Sequence, residues 1–93
     1  MTRREKTVEK YLKQRVELLG GACEKFRSTE RGHPDRLCSF RNGYHCLVET
    51  KWAEDAEPED HQIRKHLWWR ARGMDVYVLR SRAEVDDWLR AYG

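Results

Sequence analysis

The sequence predicts an α/β fold, a small mixed β-sheet flanked by helices in the order αβββαβα. Three observations carry that reading. Val8, Leu12, Val16 and Leu19 recur every three or four residues and stop at Gly20-Gly21, the mark of one amphipathic helix with a glycine end. Asn42-Gly43 parts two short apolar runs, which is a strong hairpin signal. Met74 to Leu79 is a largely apolar strand pattern between two helical ones and suits a buried place in a sheet. With 93 residues the chain makes one domain, 1–93, whose small core would gain from a partner subunit.

The first helix spans about Thr2 to Leu19, with Thr2 and Glu5 as a capping box. Glu9 follows Val8 beside the apolar face, where it can pair with Lys13 one turn on. Ala22 to Arg27 reads as a short strand, and 28–34 as a loop in which Gly32 serves a close approach or a positive φ. Pro34 holds His33 extended, so Asp35 enters the next strand at a defined angle. Arg27, Arg31 and Arg36 flank this loop. Each can contact a phosphate backbone or stand as an ordinary surface charge. Leu37 to Phe40 and Tyr44 to Val48 form the hairpin.

Trp52 to Asp60 is acidic and irregular around Pro58, and acids with a proline favour the start of the helix that follows. That helix runs from about Pro58 to Arg72, with Ile63, Leu67 and Ala71 as its inward stripe and Gln62 in its first turns. Trp68 and Trp69 are adjacent on it, about 100° apart, so one of them is left for a subunit interface or an unpaired base. His61 and His66 show no partner and read as surface residues. Ser81 and Glu84 form a capping box for a last helix whose stripe is Val85, Trp88, Leu89 and Tyr92.

Charge is uneven. Residues 1–53 carry 12 basic and 7 acidic side chains, a balance of +5, whereas 54–93 carry 7 and 9, a balance of −2. Positive charge in the half that holds Asp35 and Glu49 suits a phosphate-bearing partner. The chain has no run of about 18 apolar residues and no signal-peptide pattern, so a soluble, cytoplasmic protein with no membrane partner is expected. Cys23, Cys38 and Cys46 are odd in number and scattered, which speaks for buried free thiols. A zinc site of Cys38 and Cys46 with His33 or His45 is the competing reading.

The chemistry concentrates between Gly32 and Lys51. Strand residues two apart share a face about 6.5 to 7 Å apart, so Glu49 and Lys51 stand side by side with Thr50 turned away. Asp35 lies eight residues before Gly43 and Glu49 seven after Asn42, which brings both acids to the hairpin end far from the turn. Two carboxylates and a backbone carbonyl make an oxygen-rich place for a hard divalent cation. Glu9, Gly32-x-Pro34-Asp35, Glu49-x-Lys51 and Gln62 together resemble the virus-type replication-repair nuclease (VRR-NUC) domain, a branch of the PD-(D/E)XK nucleases, over nearly the whole chain.

The resemblance implies a Mg²⁺- or Mn²⁺-dependent endonuclease acting on DNA and leaving a 5′-phosphate and a 3′-hydroxyl, with no small-molecule cofactor. Asp35, Glu49 and the Thr50 carbonyl would hold the metal, and Glu9 would lean toward it directly or through water. Lys51 would orient and activate the attacking water, and Gln62 would position water or substrate. It further implies a homodimer, a branched substrate such as a four-way (Holliday) junction, and, for a phage or prophage protein, a bacterial host cytoplasm. The contrasting class is a non-catalytic DNA-binding or protein-interaction module on the same scaffold.

Overall fold

Gly43, with φ +90°, turns the chain between two antiparallel strands, β2 (Arg36–Ser39) and β3 (His45–Thr50). In the computed structural model, residues 3–51, 53 and 55–91 are described, with side chains from Thr7 onward. The expected roles of Thr2 and Glu5 in a cap, of Trp52 and Glu54 in the acidic run, and of Tyr92 in the last stripe lie outside the described residues or side chains. A third strand, β1 (Ala22–Lys25), pairs antiparallel with β2, and β4 (Asp75–Leu79) pairs parallel with β3. The sheet order is β1-β2-β3-β4. The apolar β4 is therefore an edge strand. β1 ends at Lys25, two residues short of the expected Arg27.

Alternation along these strands divides the side chains between two faces. Cys23, Cys38, Cys46 and Val48 line one face, where cross-strand register aligns the three cysteines in a row. Helices α1 (Arg3–Leu18) and α3 (Arg82–Arg90) cover it with Val8, Leu12, Val16, Val85 and Leu89. Of the expected stripes, Val8, Leu12, Val16, Val85 and Leu89 are core and Trp88 packs against it, whereas Leu19 lies past the end of α1 and is 41% exposed. Ser81 caps α3 by accepting from the Glu84 N–H at 3.1 Å, and the Glu84 carboxylate reaches back to the Arg80 N–H at 3.0 Å.

The other face carries Leu47, Glu49 and Val76 under the crossover helix α2 (Asp60–Arg70). α2 starts two residues later than expected and ends two earlier. Its inward face is also different: Ile63 and Leu67 are 43% and 57% exposed, and Ala71 faces solvent. The side that meets the sheet holds Gln62, Lys65, His66 and Trp69. A polar side turns inward because the strand beneath it offers a carboxylate, which demands partners when buried.

The loop between β1 and β2 docks on α2 through a contact only glycine permits. A Cβ at Gly32, which has φ +91°, would lie 2.5 Å from the His61 carbonyl oxygen. Trp69 then packs edge-on against Phe26 and His33, with its Nε1 donating to His33 Nδ1 at 3.1 Å. Lys65 pairs with Glu30 at 2.8 Å. Trp69 is thus the inner member of the tryptophan pair. Trp68 is the outer one, with the Arg72 guanidinium 3.8 Å from its ring centre.

Candidate functional site

The end of β3 positions the site. Glu49 is 1% exposed and its two oxygens have different neighbours: Oε1 lies 3.1 Å from His66 Nε2, and Oε2 lies 3.0 Å from Lys51 Nζ. The Lys51 contact is an ion pair without hydrogen-bond alignment, so Oε2 is a buried oxygen with no hydrogen bond among the described residues. Lys51 donates one of its three ammonium protons to Gln62 Oε1 at 3.0 Å, and that oxygen also accepts from the Glu59 N–H at 2.8 Å. Two residues of α2 one turn apart thereby hold Glu49 in β3 and Lys51 just past its end.

Asp35 stands one residue before Arg36, which pairs with Val48. Its Oδ2 accepts from the Thr50 N–H at 3.0 Å and the Thr50 hydroxyl at 3.3 Å, and its carbonyl accepts from the Phe26 N–H at 2.9 Å. The Lys51 N–H points to Leu79 O of β4 at 2.9 Å. In a trans peptide the Thr50 carbonyl therefore points the opposite way, toward the Asp35 side. Glu49, Lys51, Gln62 and His66 form one contact group, and Asp35 with Thr50 forms another on the adjoining residue.

Glu9 and Arg36 belong to a third group across the sheet. Arg36 shares its face with Val48, and its Nε donates to Glu9 Oε1 at 2.9 Å while its Nη1 donates to the Cys23 carbonyl at 3.2 Å. Lys25 adds a 3.7 Å contact to Glu9. Glu9 and Arg36 are 4% and 8% exposed. Arg36 is consequently a buried partner of Glu9 and not a surface phosphate ligand, and Glu9 pairs with Arg36 instead of Lys13, which bonds Glu17. Arg27 and Arg31 are exposed on the loop beside Asp35.

His66, read from the sequence as a surface residue, is 2% exposed and bonded to the central carboxylate. Its position four residues after Gln62 was the available signal, since that spacing gives one helix face. The three cysteines are free and buried, Cys38 Sγ lying 3.7 Å from Cys23 Sγ. His33 bonds Trp69 and His45 contacts Ser39 and the Gly43 carbonyl. Cys38 and Cys46 thus have no histidine beside them, and among the described residues no ligand set for zinc is found. Burial first, and the nearby Lys65 charge second, hold the His33 imidazole below its usual pKa, while hydrogen bonding and charge from Lys65 hold the Glu30 carboxyl down.

No protein-family model matches the chain. It is 41% identical over 80 residues, 85% of either chain, to a protein of Acyrthosiphon pisum secondary endosymbiont phage 1 named "Putative nuclease p44". A solved structure titled "VRR_NUC domain" superposes with a TM-score of 0.92 at 36% identity, covering 99% of this chain and all of that one. The fold is that of a VRR-NUC-type α/β domain. The chain belongs to the VRR-NUC family of nuclease domains.

Proposed function

We propose that the protein is a divalent-cation-dependent endonuclease that hydrolyses phosphodiester bonds in DNA, with branched DNA such as a four-way junction as its preferred substrate. One observation carries this reading: Lys51 Nζ stands 3.0 Å from a buried Glu49 oxygen that lacks a hydrogen bond, one residue from the Thr50 N–H that holds Asp35.

The donor chemistry fits Mg²⁺ or Mn²⁺. Asp35, Glu49 and the Thr50 carbonyl offer hard oxygens, and the Glu49 Oε2 orphan is the type of atom such an ion satisfies. Among the described residues no three His, Cys, Asp or Glu side chains cluster as ligands. Mg²⁺ usually keeps several waters and is held by one or two carboxylates. A bound ion supplies water activation and charge stabilisation at the phosphoryl group.

The chain's own groups divide the remaining work. The Lys51 ammonium, anchored by Gln62, orients the attacking water and stabilises charge developing on the phosphate. Gln62 fixes that ammonium and can turn its amide toward water or a phosphate oxygen. Arg27 and Arg31 meet the DNA backbone beside Asp35. A two-fold homodimer would present two sites for paired cuts, and the exposed Ile63, Leu67 and Trp68 on α2 supply an apolar surface for it.

The test incubates linear duplex and four-way junction DNA with Mg²⁺ or Mn²⁺, with a chelator control, using the native protein, D35A and K51A. Metal-dependent cleavage that favours the junction and vanishes in both variants is expected. Binding indifferent to metal, with every substrate left intact, identifies a non-catalytic module instead.

A further inference from the structure

We infer that His66 is a positioning residue of the site: its ring N–H holds one oxygen of Glu49 so that the other, beside the Lys51 ammonium and without a hydrogen bond, is presented to a divalent cation. The inference rests on the cation-site reading of Glu49 above. Its basis is the asymmetry of the carboxylate. Oε1 meets His66 Nε2 at 3.1 Å while Oε2 remains without a hydrogen bond, and both residues are almost wholly enclosed.

An ionised carboxylate only accepts hydrogen bonds, so the Nε2 facing it must carry the proton. A buried glutamate has three rotatable side-chain bonds, and the Lys51 ammonium, 3.0 Å from Oε2 but without an aligned hydrogen bond, does not by itself select which oxygen takes which side. The His66 bond makes that choice, and α2 fixes the ring because the loop before β2 is docked on the same helix at Gly32 and Trp69. His66 touches neither substrate nor cation. It acts through Glu49, as outer partners of metal ligands do.

The experiment measures Mn²⁺ binding by calorimetry to the native protein, H66L, H66Q and D35A, with thermal melts for each. H66L removes the donor at similar volume, and H66Q restores an amide N–H near the position of Nε2. A loss of about tenfold or more in Mn²⁺ affinity is expected for H66L, with H66Q within about threefold of native. Native affinity in a folded H66L overturns the inference while leaving the cation reading intact. Absence of Mn²⁺ uptake by the native protein, or unchanged uptake by D35A, overturns the cation reading and this inference with it. Where H66L fails to fold, ring-nitrogen NMR of the native protein decides: a proton on Nε2 is expected, and one confined to Nδ1 overturns the assignment.

Discussion

Lys51 is tied to Gln62 by a 3.0 Å bond from its ammonium to an oxygen that simultaneously caps the first turn of α2. One amide therefore joins the end of β3 to the start of the crossover helix. Replacing Gln62 with Ala should cost about 1 kcal/mol through the lost cap and lower cleavage by about tenfold or more through a loosened Lys51. Urea unfolding and single-turnover cleavage read the two effects separately. A variant with normal turnover would show that Lys51 needs no anchor.

Gly32 and Gly43 both adopt positive φ, but only Gly32 has a neighbour in the space a Cβ would fill. Gly43→Ala should cost about 1 kcal/mol in backbone strain alone. Gly32→Ala should cost about 2 to 3 kcal/mol, since the loop must also lift off the His61 carbonyl. Equal losses in denaturant titrations would mean the loop is not seated on α2.

Acid should weaken the loop-helix contact through His33. Nδ1 accepts from Trp69, so that nitrogen must be unprotonated, and burial holds the folded pKa below its ordinary value. A depressed folded pKa means the unfolded chain takes up the proton first. Its contribution is complete above about pH 6.5 and is lost as pH falls from there through the folded value. Glu30, whose folded pKa is also lowered, adds a second loss at more acidic pH. Melts and Trp fluorescence between pH 8 and 4 should show the first decline, and H33F should flatten it; a flat native profile would contradict the assigned bond.

Glu9 and Arg36 are enclosed together, so removing one strands the other. Glu9→Ala should cost about 3 to 5 kcal/mol, and the apolar pair E9L/R36M should recover most of that loss. Recovery of stability without recovery of cleavage would assign Glu9 a part in the reaction beyond holding Arg36. Recovery of both would make it a purely structural partner.

The sequence disclosed what local chemistry determines. Asn42-Gly43 specified a hairpin, and its far end brings the Asp35 carboxylate onto Thr50, the residue after Glu49. Ser81 and Glu84 announced the start of α3 in the same way. The failures concern which face a polar residue chooses. Arg36 lies two before Cys38 and therefore points into the core, but a charged residue beside a basic loop reads as a surface group until its buried partner is known. α2 misled for the converse reason: Ile63 and Leu67 had helical spacing, yet the strand beneath needed donors more than methyl groups.

The underside of α2 has a use for protein engineering. A catalytically silent version meant to trap its substrate should be made at Asp35, which sits on the loop side of the strand end. Changes at His66 or Gln62 would remove rivets between helix and sheet, and an inert product from them would confound lost chemistry with a detached layer.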